Sequence, residues 1–244
     1  MIASLPMYIR PENKGAHDRY WQLIHANLIQ NGADAPEALS DGEDLDHWRR
    51  DDLRLSQTCG MPYRVHLHEQ VQLVGTPDYG LPDCPAGYYN SLFIVNAHET
   101  RTDLADFASA NLAVNAMISQ SGFAAAQLTA KKAGFQFKNL AVSGGHIASA
   151  KMVVTGKADI AAIDAMTWHD IQKYNDFPNQ IKVLMKTSPT PGLPYICALG
   201  IDKQAVAQAV INAIAALTEK DRDALNIHGL IQIPKADYLA VENP

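Results

Sequence analysis

With 244 residues, the chain falls between one domain and two, since a domain takes roughly 100–200 residues. Hydrophobic residues make up 47% and charged residues 19%, a globular balance that excludes a disordered, collagenous or coiled-coil chain. Twenty Lys plus Arg against 26 Asp plus Glu leave a formal charge of −6, a field that repels polyanions and argues against a nucleic-acid binder. A small anionic ligand stays admissible, because a pocket answers to local donors and dipoles rather than to distant net charge.

In chain order, Ile2 to Leu5 reads as a strand stopped by Pro6. Gly15 to Ile29 reads as a helix that buries Tyr20, Trp21, Ile24 and Leu28 at helical spacing. Asn31 to Asp46 is polar. Its Asp41–Asp46 acidic run lacks the later Gly and closing Glu of a calcium loop and reads as a solvated loop. Leu53 to Ser56 and Val71 to Thr76 are strands, and the Pro/Gly-rich stretch Pro77 to Gly87 marks a boundary.

Beyond it, strands Asn90 to Asn96, Leu112 to Ala116, Leu140 to Val142, Ile160 to Ile163 and Ile181 to Met185 come with helices Gly122 to Lys132, Ile147 to Val154 and Met166 to Tyr174. This alternation predicts an α/β fold with mostly parallel sheets. Ser188 to Pro194 is a second Pro-rich boundary. Tyr195 to Leu199 follows as a strand, and Lys203 to Leu217 as a packing helix capped by Asp202. The expected layout is a discontinuous first lobe, residues 1–90 and 190–244, with a second lobe, residues 91–189, inserted into it and hinges near Phe93 and Tyr195.

The segment Asn111 to Phe123 runs from a strand through a hydroxyl-rich turn into a helix, with Ser119, Gln120 and Ser121 at the helix start. Backbone N–H groups and the positive end of the helix dipole point there, so a phosphate, phosphonate or carboxylate finds donors without Lys or Arg. The alternative is that a serine only caps its own helix. Val142-Ser143-Gly144-Gly145-His146 repeats the arrangement after another strand, with His146 as a further donor. Parallel strands bring such turns to one edge of a sheet.

Asp164 ends a strand, where it can orient His146, accept from a ligand, or cap the next helix. In the first lobe Tyr8, Thr58 and Tyr63 lie at strand ends as hydroxyls or as core. His66 and His68 have the spacing of two imidazoles on one strand face, without an identifiable third metal ligand. Cys59, Cys84 and Cys197 belong to no CxxC or zinc signature. GxSxG, GxxxxGK[ST] and GxGxxG motifs are missing. No metal and no cofactor are expected.

Ala3-Ser4-Leu5-Pro6-Met7-Tyr8, Leu55-Ser56-Gln57-Thr58-Cys59-Gly60, the Ser119-Gln120-Ser121-Gly122 turn, Gly145-His146 leading to Ala158-Asp159-Ile160-Ala161, and Pro191-Gly192-Leu193-Pro194-Tyr195 resemble, in this order, the phosphate/phosphonate-type substrate-binding proteins of ABC transporters. The resemblance implies a type II periplasmic-binding-protein fold, two α/β lobes joined by two crossover strands and closing over a ligand. It also implies that Ser119, Gln120, Ser121 and His146 hold the oxyanion, with Tyr8 and Thr58 or Tyr63 from the other lobe. Phosphonate binders of the family place an acid shortly after the strand ending here at Ile163, to hold a ligand amine. The matching position is Met166, with Asp164 two residues earlier.

The implied partners are a small anionic ligand and an ABC permease, with the binding protein itself monomeric. Such a protein carries an export signal, whereas the first strand here begins at Ile2. The expectation is therefore a cytoplasmic chain if Met1 is the natural start and a periplasmic one if a signal was trimmed. It keeps a second class in view: cytosolic enzymes of the same fold, of the menaquinone-pathway dehydratase or lyase type, acting on a carboxylated metabolite. A cytosolic ligand sensor is a third.

Overall fold

The computed structural model describes Met1–Pro244. The chain runs β1 (Ile2–Ser4), α1 (Lys14–Gln30), α2 (Leu45–Trp48), β2 (Leu53–Gln57), α3 (Gly60–Pro62) continued by a π-helical turn Tyr63–Leu67, β3 (Val71–Asp78), β4 (Tyr88–Tyr89) and β5 (Ser91–Asn96). A 3-10 turn Leu104–Phe107 leads to β6 (Asn111–Val114), a π-helical turn Gln120–Ala124 continuous with α4 (Ala125–Lys132), β7 (Asn139–Val142), α5 (His146–Val154), β8 (Ile160–Asp164) and α6 (Ala165–Tyr174). Then come β9 (Ile181–Lys186), β10 (Thr190–Pro191), β11 (Tyr195–Ala198), α7 (Lys203–Ala216), α8 (Glu219–Leu225), β12 (Gly229–Ile231) and α9 (Lys235–Leu239).

These elements form two units, Met1–Tyr88 with Pro191–Ala240, and Tyr89–Thr190 with Val241–Pro244. The chain changes unit at Tyr88/Tyr89 and at Thr190/Pro191, where β4 pairs with β10, and again at Ala240/Val241. Phe93 and Tyr195, near which the hinges are expected, lie inside strands β5 and β11 as buried core side chains.

In the first unit the sheet order is β1-β2-β11-β3-β12. β1 and β2 pair in parallel, whereas β11 is antiparallel to both β2 and β3, and β12 to β3. Tyr20, Trp21, Ile24 and Leu28 of α1 and Val206, Val210 and Ile214 of α7 share one core with Leu55, Val74 and Cys197 of the sheet. Each large side chain buried there contributes about 1.5–3 kcal/mol. Asp202 starts α7 by accepting from the N–H groups of Gln204 (3.0 Å) and Ala205 (3.2 Å), the cap its position predicts.

The second unit has the order β7-β6-β8-β5-β9. β6 pairs in parallel with β7 and β8, and β5 runs antiparallel to β8 and β9. Each sheet is therefore mixed: most strands share a direction, and the strands entered just after a crossing, β5 and β11, oppose their neighbours. Leu92, Ile94, Ala161 and Ile163 pack under α5 and α6 on one face, while Phe93, Val95, Leu112 and Ile160 pack on Phe107, Ala126 and Phe137 on the other. Period-two alternation sends successive side chains of one strand to these opposite cores.

Several elements carry structure that periodicity did not announce. Residues 60–67 are helical, so His66 and His68 do not share a strand face. The helices α8 and α9 and the three-residue β12 are too short to show a pattern. No three or more His, Cys, Asp or Glu side chains come together to hold a metal ion. None of the cysteines forms a disulfide, and no helix is long and apolar enough to cross a membrane.

Candidate functional site

In the second unit, parallel pairing aligns Val114 with Val142, so the turns after β6 and β7 leave the same edge of the sheet. They are tied together there: the N–H groups of Ser143 and Gly144 donate to the carbonyls of Val114 (2.8 Å) and Asn115 (3.1 Å). Gly144 has φ +87°, a left-handed conformation that favours glycine. The Ser143 hydroxyl bonds Ser149 Oγ at 2.7 Å, which anchors the turn to α5.

Ser119 is extended and caps the following helix, its Oγ accepting from Gly122 N–H at 3.1 Å. The first turn is π-helical, a wider winding often found at functional sites. The carbonyl of Ser121 accepts from Ser91 Oγ on β5 at 3.1 Å. Ser121 Oγ lies 2.8 Å from His146 Nε2 and 3.3 Å from Ser119 Oγ. A Cβ on Gly122 would sit 2.0 Å from Asn115 Oδ1 and 3.2 Å from His146 Cε1, so a larger residue there would have to displace the Asn115 side chain. That Asn115 oxygen is buried without a hydrogen-bond partner.

His146 is the first residue of α5, whose N-cap, Gly145, is extended and supplies no side-chain cap. Burial pushes the imidazole pKa down to about 4, with the backbone of Ala162 pulling partly the other way, so the ring is neutral at neutral pH. The result is a cluster of two hydroxyls, one neutral imidazole and two helix starts. It holds no Lys or Arg and provides directional hydrogen bonding and dipoles.

The other residues singled out from the sequence are not part of this hydroxyl–imidazole cluster. Gln120 is buried at the start of the π-helical turn. Asp164 is buried and caps α6, accepting from the N–H groups of Met166 (2.8 Å) and Thr167 (3.0 Å). Met166 is buried as well. In the first unit Tyr8 is buried edge-on against Tyr79, with ring centroids 5.1 Å apart. Thr58 is buried with no hydrogen-bond partner for its Oγ1.

Tyr63 does not present its hydroxyl at the strand end. It packs with Trp48, Leu53 and Leu67 and meets Tyr238 edge to face at 5.2 Å, and burial pushes its phenol up to about 12. The helical turn after β2 carries this ring into the core.

Sequence reasoning missed Ser91 and Asn115, each at the end of a strand. It also missed the chain Ser56 Oγ–Ser4 Oγ–His47 Nε2 in the first unit, with steps of 2.7 and 2.8 Å. Ser4 and Ser56 stand side by side on parallel strands, but only the fold brings His47 of α2 to them.

Two units of mixed sheet flanked by helices, the second inserted into the first, define the type II periplasmic-binding-protein fold. PhnD1 from Prochlorococcus marinus, in complex with methylphosphonate, is similar with a TM-score of 0.74 and 16% identity over 97% of this chain and 94% of that one. The binding protein component of an ABC phosphonate transporter, PA3383 from Pseudomonas aeruginosa, gives 0.71 and 16% over 98% and 82%. XAC2383 from Xanthomonas citri, bound to ATP, gives 0.71 and 14% over 97% and 92%.

Residues 45–238 match the family of ABC transporter, phosphonate, periplasmic substrate-binding proteins, and the chain belongs to that family. No curated protein sequence matches it.

Proposed function

We propose that the protein binds a small phosphonate or phosphate-type oxyanion as the solute-binding component of an ABC-type transport system, delivering it to a permease. The observation that carries this reading is the Ser119–Ser121–His146 cluster at the start of the helix 120–132, where neutral donors and a helix dipole converge. Such a site satisfies an oxyanion without a counter-charge. Family membership favours this reading over the enzyme of the same fold.

Calorimetric titration with methylphosphonate and inorganic phosphate, alongside native mass spectrometry of protein purified without added ligand, tests it. Saturable one-to-one binding that Ser121→Ala weakens supports the reading. No binding of either anion, or turnover of a carboxylated metabolite, overturns it.

A further inference from the structure

In the first unit, β2 and β3 both run antiparallel to β11, so the start of β3 and the end of β11 come out on the sheet edge opposite to the one that carries Thr58. β12 pairs only with Thr76, Pro77 and Asp78 of β3, which leaves the first half of β3 without a strand on that side. A cavity of about 680 Å³ opens there, bounded by the residues after the π-helical turn, by Lys203 at the start of α7 and by Lys235 at the start of α9. Its volume is that of a small-molecule site.

Val71, Leu73 and Ile233 give the cavity an apolar wall. Leu199, at 62% the most exposed of the large hydrophobic side chains, lines it as well. So does Tyr63, which is only 1% exposed. Its ring is held among Trp48, Leu53, Leu67 and Tyr238, so the hydroxyl end is what meets the cavity. That hydroxyl makes no hydrogen bond within the protein, and a phenol is protonated at neutral pH and free to donate. Nδ1 of His68, also in the lining, is buried without a partner. Buried polar groups of this kind are ordinarily satisfied, and a ligand that supplies the missing acceptor recovers the cost of leaving them bare.

The charged residues of the lining are Lys203, Lys235 and Glu69. All three are exposed, and none belongs to a salt bridge. Two ammonium groups against one carboxylate leave the cavity positive on a chain whose formal charge is −6. We propose that this cavity is a second binding site, distinct from the serine–histidine cluster of the other unit, for a small organic carboxylate with an apolar body. The carboxylate accepts from the Tyr63 hydroxyl and from the ammonium groups, and the body covers Val71, Leu73 and Leu199. An inorganic anion gains little from exposed ammonium groups and leaves the apolar wall bare. A cation meets two like charges, and an uncharged apolar molecule leaves Tyr63 without an acceptor.

The test is calorimetry of the intact protein with phenylacetate, acetate and phenethylamine, which vary the body and the charge separately. Phenylacetate should bind saturably and at least about tenfold more tightly than acetate, through its buried ring, and than the amine, whose charge is of the wrong sign. Tyr63→Phe, which removes only the hydroxyl, should weaken it about tenfold or more. Lys203→Gln combined with Lys235→Gln should weaken it about threefold or more and leave methylphosphonate binding unchanged.

Undetectable binding of phenylacetate, equal affinity for acetate or phenethylamine, or phenylacetate binding that neither variant alters overturns the inference. Failure of methylphosphonate to bind bears only on the oxyanion reading of the other unit and leaves this site standing. Both lysines are exposed, so their double variant decides even if Tyr63→Phe fails to fold.

Discussion

The hydroxyl of Ser121 and Nε2 of His146 lie 2.8 Å apart although they belong to different strand–turn–helix repeats. Parallel pairing of β6 with β7 brings the two turns to one edge, and the backbone bonds from Ser143 and Gly144 to Val114 and Asn115 hold them there. A serine at a helix start is thereby placed against an imidazole that is itself the first residue of another helix. Four predictions follow from this placement and from the frame that supports it.

Ser121→Ala removes a hydroxyl from the middle of the Ser119–Ser121–His146 cluster and leaves Nε2 of His146 without its partner. Losing a hydrogen bond to a charged ligand costs about 1.5–3 kcal/mol. Methylphosphonate should therefore bind roughly ten- to a hundredfold more weakly in calorimetry, with the far-UV spectrum unchanged. Unaltered affinity would place the oxyanion elsewhere.

Asp164 acts as a helix cap, so its truncation should register in stability first. Asp164→Ala orphans the N–H groups of Met166 and Thr167 and should cost about 1–2 kcal/mol in urea unfolding. Asp164→Ser, which restores a capping oxygen, should recover most of that loss. Equal instability of the two variants would contradict the capping role.

Gly192→Ala brings a Cβ to 2.7 Å from the carbonyl oxygen of Gly87 and 3.1 Å from Thr76 Cγ2. The first of these atoms is backbone, in a strap where Gly192 N–H donates to that same Gly87 carbonyl and Tyr238 donates to the Gly192 carbonyl. Neither side can give cheaply, so the substitution should destabilise the first unit by about 1–3 kcal/mol. A denaturation midpoint matching wild type would show that the strap yields.

The buried His146 also makes stability depend on pH. Its folded pKa is about 4 against an ordinary 6.5, so above about pH 6.5 neither folded nor unfolded chain holds the proton and this group contributes no slope. Between about 6.5 and 4 the unfolded chain binds it and the folded chain does not. Stability then falls as pH falls, by up to about 1.4 kcal/mol per pH unit. His17 and His47, lowered chiefly by burial, act in the same direction. Urea unfolding at about pH 7.5, 6 and 4.5 measures the decline, which His146→Gln should make shallower. A slope identical to wild type would mean that His146 is already protonated in the fold.

Where each long helix and most strands lie was decided within the sequence, because the causes are local. In α1, Tyr20, Trp21, Ile24 and Leu28 recur at the helical period and are buried together. Asp202 caps α7 with its own side chain. Gly144 permits the left-handed residue that its turn needs. The serine turn could be read in the same way, since Ser119 bonds an N–H three residues on.

Tertiary structure alone decided which side chains meet. Tyr63 and Thr58 follow the same strand, yet helix 60–67 carries Tyr63 into an apolar cluster with Tyr238, and no short-range pattern encodes that choice. Asp164 was open to three roles until the direction of α6 turned its oxygen onto two N–H groups. Ser91 reaches the Ser121 carbonyl only because β5 runs antiparallel beside β8. Strand pairing is a long-range contact, and a one-residue slip in register would turn the whole face over. The local sequence therefore carried the parts of the site, and packing of the sheet carried its geometry.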